Sequence, residues 1–258
     1  MPTTTSHVLL EATPPIAELI LNDPEKRNAL SNAVFDALER RLDELSDHDD
    51  VNIVLVRGSG NAFCAGFDLA AGVEDISMLG QFIERLGHAT RRLRRLPQVV
   101  VAAVHGPAIA GGCALLSACD FVVTAPDVHM GYPVHRIGIS PAVTIPTLAA
   151  AIGPGPTRSL LMSGRLIDGS EAKRIGLATH LAENAEGVVH ATQALCGTLA
   201  GHGSHALRTT KAWLNELDGS LNDARFDRPA DYSAAQAVDE EARTMLNAFW
   251  SSRRSSRS

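Results

Sequence analysis

The sequence predicts an α/β body with a helical appendage at its C-terminal end. Short apolar runs, "VNIVLV", "VVVAAV" and "FVVTA", have the length and content of buried strands. The stretches between them place apolar residues at helical spacing. Beyond about residue 141 the pattern turns mostly helical.

Taken in order, "HVLLE" and "IAELILN" read as two strands joined at a Pro-Pro turn, an opening hairpin. "NDPEKRNALS" is rich in turn formers. In "SNAVFDALERRLDEL", Val34, Leu38, Leu42 and Leu45 mark one helix face and Ser31 is its N-cap. "VNIVLVRGSG" is a buried strand ending at Gly58, and "NAFCAGFDLA" reads as a loop with a tight corner. Residues 77 to 96 form a long helix that stops before Pro97. "VVVAAVHG" is another buried strand, followed by "GPAIAGGCALLSACD", a glycine corner leading into a short helix. "FVVTA" is a strand and "GYPVHRIGISPA" a polar loop. "DGSEAKRIGLA" reads as a capped helix, a glycine stop and a strand. Residues 184 to 217 and 234 to 250 are expected to be helices, separated by the polar stretch "DGSLNDARFDRPADYS". The tail "SSRRSSRS" is expected to be disordered.

The 258 residues suffice for a sizeable core. With only 4% aromatics, that core must be built from Ala, Leu, Val and Ile. A net charge of −6 offers no basic excess for displacing counterions from phosphates, so nucleic acid is not an expected partner. No apolar run is long enough to cross a membrane, and the first residues lack a basic-then-apolar signal pattern. Cys64, Cys113, Cys119 and Cys196 show no CxxC pairing and read as reduced, buried thiols in a cytoplasmic protein. No metal site is expected.

The chemistry centres on the two glycine corners. "AIAGGCALL" lacks both GxGxxG and GxxxxGK[ST], so neither a dinucleotide fingerprint nor a P-loop is present. Either the backbone must bend there or something must approach it closely. "NAFCAGFDL" repeats the arrangement after another buried strand. Two such loops can each direct a backbone N–H at one bound oxygen, and a helix starting at the second corner adds its positive end. That describes an oxyanion hole, whose donors are each worth roughly 3–4 kcal/mol of transition-state stabilisation.

The chain resembles the crotonase (enoyl-CoA hydratase/isomerase) superfamily. "NDPEKRNALS", "VRGSGNAFCAGFDL", "VVAAVHGPAIAGGCALLSACDFVVTAP", "RIGISPA" and "LLMSGRLIDGSEAKRIGLATHL" occur in that family's order and spacing, from about residue 8 to 185. A weaker echo lies in "EEARTMLNAFWSSRR". The resemblance implies a repeated ββα superhelix with a C-terminal α-helical trimerisation region. It divides the chain into a spiral core at 1–195, which binds acyl-CoA, and a helical region with subunit contacts at 196–258. It implies that the N–H groups of Phe67 and Gly111 hold a thioester carbonyl. Coenzyme A would lie by Arg27, Ala29, Ala65 and Gly66 as part of the substrate, with no tightly bound cofactor. A homotrimer or dimer of trimers is implied, and the apolar face of 234 to 250, with Phe249 and Trp250, suits subunit contact.

The catalytic glutamates that the resemblance would place are missing. Their positions hold Ala114 and Val134, and the acid of the dehalogenase-like branch is replaced by Ala142. His135 adjoins Val134 and is the first candidate for proton transfer, unless it faces solvent or a neighbouring subunit. Asp68 either reaches the acyl pocket or ties down its loop. Tyr132 and Ser140 are candidates to orient substrate. His88, Glu74 and Asp75 are weaker candidates, the last two in a segment expected to be mobile. The arginines of "RRLRR" (Arg91, Arg92, Arg94, Arg95) read as a solvated or subunit-contacting face. The functions left open are enoyl-CoA hydratase, isomerase, acyl-CoA decarboxylase, thioester hydrolase and non-catalytic acyl-CoA binder.

Overall fold

The computed structural model describes residues 6–46 and 48–255. The opening hairpin pairs β1 (Val8–Thr13) with β2 (Ile16–Leu21), Val8 lying opposite Leu21. The Ser31 hydroxyl accepts the Val34 amide at 3.3 Å and starts α1 (Asn32–Ser46), which buries Val34, Leu38, Leu42 and Leu45. There follow β3 (Ile53–Gly58), α2 (Leu69–Glu74), α3 (Ser77–Arg95) and β4 (Val99–Val104). The second corner comprises β5 (Ala108–Ile109) and α4 (Gly111–Ser117), before β6 (Phe121–Thr124) and β7 (Met130–Gly131). Next come α5 (Ile145–Ile152), α6 (Pro154–Ser163), β8 (Leu166–Ile167), α7 (Gly169–Ile175) and β9 (His180–Leu181). The chain closes with α8 (Val188–Ala200), α9 (Ser204–Leu217), α10 (Ala224–Gln236) and α11 (Glu240–Ser255).

One sheet runs in the order β1-β2-β3-β4-β6-β9, parallel throughout except for the hairpin. β4 is buried at every position, as expected of a parallel strand covered on both faces. A second, small sheet runs β5-β7-β8. No helix among the described residues is long and apolar enough to cross a membrane.

Four expectations need correction. The polar stretch 218–233 is largely helix α10, and the helix expected over 234–250 is broken between α10 and α11. The buried face of α10 is Phe226, Ala230, Ser233 and Ala234, at helical spacing but made mostly of small residues that carry little hydrophobic signal. It seats on two glycines of α3. A Cβ at Gly87 would lie 3.2 Å from the Ala230 Cβ, and one at Gly80 3.3 Å from the Ala234 carbonyl.

Second, the four arginines are tied within the chain. Arg92 pairs with Asp43, Arg94 with Asp218, and Arg91 with Asp227 at 2.6 Å. Arg95 pairs with Asp223, donates to the Ser220 carbonyl and lies over the Phe226 ring. A basic helix face thus becomes the anchor for the acidic connection from α9 to α10.

Third, the division at 195/196 falls inside α8. This helix buries Val188, Thr192, Cys196 and Leu199 and packs on β2, β3, β4 and β6, so it belongs to the sheet layer. Fourth, helix α11 continues through Ser255 where disorder was expected; the last three residues of that tail lie outside the described residues. Within α11, Ala242 and Leu246 are buried and Phe249 packs against the core. The exposed apolar residues Trp213, Leu214 and Leu217 sit instead on α9.

Candidate active site

Four backbone segments meet in a ladder beside the ends of the strands. The Ala65 amide donates to the Arg27 carbonyl at 3.0 Å, Leu30 to Gly66 at 2.7 Å, and Asp68 back to Leu30 at 3.0 Å. Ile109 donates to Cys64 at 2.9 Å, and Ala110 to Gly131 at 2.8 Å. Arg27, Ala29, Ala65 and Gly66 are thereby brought together. Arg27 is exposed and Ala29 buried. The Ala65 N–H is already used by Arg27, which leaves that residue only its carbonyl to offer a ligand.

The same ladder sets Phe67 beside Gly111. A Cβ on Gly66 (φ +86°) would lie 3.7 Å from the Gly111 nitrogen, and one on Gly111 would lie 3.4 Å from the Phe67 Cε1. Among the described residues, neither the Phe67 nor the Gly111 N–H has a hydrogen-bond acceptor. Ala110, immediately before Gly111, has φ +51° and ψ −109°, a backbone conformation that strains any side chain. This kink aims the start of α4.

The two glycines of the corner first serve the protein's own packing. A Cβ on Gly112 would lie 2.3 Å from the Cys64 carbonyl, so that position must be glycine for one loop to pass over the other. A Cβ on Gly111 would meet Leu30 Cδ1 at 2.8 Å.

Phe67 and Gly111 border a cavity of about 30 Å³, together with Ala114, Tyr132, Val134 and Ser140. Its other walls are Ile83, Leu86, Ala110, Ile139, Pro141, Val143 and Thr144. No Asp, Glu, His, Lys, Arg or Cys is among these lining residues. The Phe67 ring is steadied by Phe82 and Phe35, at centroid separations of 5.6 and 6.5 Å.

Tyr132 is the one phenol in the cavity wall, and it is fully committed. Its hydroxyl donates to the Cys113 carbonyl at 3.0 Å and accepts from Thr144 Oγ1 at 3.2 Å. Burial pushes its pKa well above the ordinary tyrosine value, which keeps it neutral. Below it, Ser117 and Thr147 share a hydrogen bond of 2.8 Å. Burial also pushes the thiols of Cys64 and Cys113 up to about 12, so neither is a nucleophile near neutrality.

The other sequence candidates lie elsewhere. His135 is exposed, and its Nδ1 lies beside Gly164 at the end of α6, outside the cavity. The cause is local: Pro133–Ile137 is a 3₁₀ turn, so residues adjacent in sequence point in different directions. Asp68 caps α2 through the Ala70 amide and pairs with Lys26 Nζ at 3.0 Å, which raises the Lys26 pKa. It ties down its loop. His88, 3.2 Å from Arg91, borders a separate polar cleft between α3 and α10. Glu74 ends α2, and Asp75, which follows that helix, accepts the amide of Ser77, the first residue of α3, at 2.9 Å. Ala142 begins a second 3₁₀ turn. Among the described residues, no group of three or more His, Cys, Asp or Glu is arranged to hold a metal ion.

Two features of the site escaped the sequence reading. Asn28, buried with φ +56°, donates its side-chain amide to the carbonyls of Ser59, Ala62 and Phe63. An asparagine inside a turn-rich segment is a weak signal for this, since the partners lie more than thirty residues away. The other is the grip of α10 on the cavity wall, which no local pattern announces.

The model of the Enoyl-CoA hydratase/isomerase family matches residues 11–248. The chain belongs to that family. It is 37% identical over 211 residues to a Thermus thermophilus protein named as a candidate enoyl-CoA hydratase, a match covering 79% of this chain and 82% of the other. Identity to the crotonyl-CoA hydratase of Syntrophomonas wolfei is 30% over 213 residues, covering 81% and 82%. Among solved structures, an enoyl-CoA hydratase from Mycobacterium avium superposes with a TM-score of 0.84 at 28% identity, covering 96% of this chain and 98% of that one. The crotonase fold implied by the sequence motifs is therefore the fold of this family member, and family membership makes it an enzyme of the hydratase/isomerase group.

Proposed function

We propose that this hydratase/isomerase family member binds an acyl-CoA with its thioester oxygen between the Phe67 and Gly111 amides. These would stabilise the enolate that forms when charge develops at the α-carbon. The observation that carries this reading is the pair of acceptor-free N–H groups bordering one cavity. Arg27, Ala29, Ala65 and Gly66 would receive the coenzyme A portion, which arrives as part of the substrate; no tightly bound cofactor is invoked.

No Asp, Glu, His, Lys, Arg or Cys lines the cavity, and its one phenol, Tyr132, is held neutral by burial, which favours a reaction that needs no side-chain base. Decarboxylation of a 2-carboxyacyl thioester meets that condition. The C–C bond breaks, carbon dioxide departs, and the electron pair passes into the enolate held by the two amides. Water then protonates the α-carbon. An apolar wall of Ala114 and Val134 would also disfavour the charged carboxylate relative to the neutral product. Hydration of crotonyl-CoA, with no carboxylate to place the water, would be slow.

The test is a turnover panel. Carbon dioxide release from malonyl-CoA or methylmalonyl-CoA, well above loss of the enoyl absorbance of crotonyl-CoA, supports the decarboxylase reading. The reverse ranking overturns that reading and leaves the hydratase. No binding of any acyl-CoA overturns both. We further infer a homotrimer or dimer of trimers in a reducing, cytoplasmic setting. The exposed Trp213, Leu214 and Leu217 of α9 and the four buried free thiols support this.

A further inference from the structure

Loop 138–143 supplies one wall of the cavity through Ile139, Ser140, Pro141 and Val143. The Ala142 amide is held within the loop by Ser140 Oγ at 3.3 Å, and the Ile139 amide by the Val134 carbonyl at 3.2 Å, but other main-chain groups are held from outside. Its backbone is gripped from α10. Gln236 Oε1 accepts the Ser140 amide at 2.9 Å, while Gln236 Nε2 donates to the Gly138 carbonyl. Ser233 Oγ donates to the Ser140 carbonyl at 3.0 Å and accepts the Val143 amide at 3.3 Å. Four main-chain groups of the wall are thus satisfied by two side chains one helical turn apart.

The helix that carries them is itself fixed. Gly80 and Gly87 let it sit close on α3, and a Cβ at Gly87 would lie 3.4 Å from Val143 Cγ2 as well as against Ala230. Arg91 and Arg95 anchor its first half through Asp227 and Asp223. The cavity, about 30 Å³, is small, and this loop bounds it on one side. Outward movement of this wall would make room for a longer acyl chain.

We propose that Ser233 and Gln236 are positioning residues that set the acyl-chain length the cavity accepts, by pinning the 138–143 wall to α10. This rests on the acyl-CoA reading above. Removing the Gln236 amide frees the Gly138 carbonyl and the Ser140 amide, which then turn to solvent, and the wall relaxes outward.

Calorimetric titration of the full chain with acetyl-CoA, butyryl-CoA and hexanoyl-CoA tests this. The wild type is expected to favour acetyl-CoA. Gln236→Ala is expected to shift the hexanoyl-to-acetyl affinity ratio toward hexanoyl by about tenfold, some 1.4 kcal/mol. Gln236→Glu keeps the acceptor for Ser140 and is expected to fall between the two. Asp223→Ala loosens α10 at its other end without touching the wall, so a merely structural role would move its ratio equally. An unchanged ratio in Gln236→Ala, or an equal shift in Asp223→Ala, overturns the proposal. If Gln236→Ala does not fold, Ser233→Ala against Ser233→Thr makes the same comparison, with the threonine expected to keep the wild-type ratio. Wild-type binding with unmoved ratios sinks this proposal alone. No wild-type binding to any of the three sinks the acyl-CoA reading and this proposal together.

Discussion

The side-chain amide of Asn28 donates to the carbonyl of Ala62 at 2.9 Å, across 34 positions of sequence. Asn28 also serves Ser59 and Phe63, while its own oxygen accepts the Asp23 amide at 2.9 Å. It thereby ties the 27–30 turn to the loop that carries Phe67. Its left-handed backbone suits asparagine better than most residues. Asn28→Ala strands several buried carbonyls, each at about 1–3 kcal/mol. The expected loss is about 3 kcal/mol of unfolding free energy in urea titration, with acetyl-CoA binding weakened in parallel. Asn28→Asp, which keeps the acceptor and loses the donor, is expected to rescue little. Wild-type stability in Asn28→Ala would show that the turn holds by itself.

Tyr132 borders the cavity but makes its hydrogen bonds within the protein. Its hydroxyl is occupied by Cys113 and Thr144, and burial keeps it neutral. Tyr132→Phe is expected to cost about 1 kcal/mol of stability. Acetyl-CoA affinity is expected to stay within about threefold, because a hydrogen bond closed inside the protein gives none to a ligand. A loss of turnover above a hundredfold in a stably folded Tyr132→Phe would instead make this phenol a catalytic residue.

What the sequence reveals follows from the range of the signal. Strands β3, β4 and β6 are legible because each lies in a contiguous apolar run, and α1 because its large apolar residues repeat on one face, whereas the two-residue strands β5, β7 and β8 are too short to leave a pattern. The corners at Phe67 and Gly111 are legible because glycine after a buried strand is a local anomaly. Helix α10 is not, since Ala230, Ser233 and Ala234 bury a small-residue face that resembles a polar linker, with Pro229 inside it. The direction of His135 is set by the 3₁₀ turn Pro133–Ile137, in which adjacent residues point about a third of a turn apart, so adjacency to Val134 does not bring it to the cavity. The partners of Asn28 and Gln236 are set by tertiary contact alone.

Alkaline pH should unfold the protein through its thiols. Cys64 and Cys113 are pushed by burial from the ordinary 9.0 to about 12. The folded state therefore keeps its protons where the unfolded state releases them. Stability is fully present below pH 9 and falls as pH rises from 9 towards 12. Well above pH 9, each thiol contributes about 1.4 kcal/mol of loss per pH unit. Urea titrations at pH 8, 10 and 11 are expected to show this decline, with Cys113→Ala giving a shallower slope than the wild type. An identical slope in that variant would place the alkaline sensitivity elsewhere.

Neighbouring glycines of the second corner should fail in opposite ways. At Gly112 the obstacle to a Cβ is the Cys64 carbonyl at 2.3 Å, and that oxygen is fixed by the Ile109 amide at 2.9 Å. Main chain cannot yield there without breaking the ladder. Gly112→Ala is expected to cost about 3 kcal/mol or more, read as a lowered urea midpoint or loss of soluble protein. At Gly111 the nearest obstacle is Leu30 Cδ1 at 2.8 Å, the free end of a flexible side chain, which can turn aside. Gly111→Ala is therefore expected to fold with a midpoint close to wild type. Its methyl group, however, stands beside the Gly111 amide and would lie 3.4 Å from Phe67 Cε1 and 3.6 Å from Leu86 Cδ2, two side chains that line the cavity. Acetyl-CoA affinity is expected to fall by about tenfold or more in the same sample that unfolds normally. If Gly111→Ala bound acetyl-CoA like the wild type, a thioester seated on that amide would be untenable. If Gly112→Ala proved as stable as the wild type, the close crossing of the two loops would be.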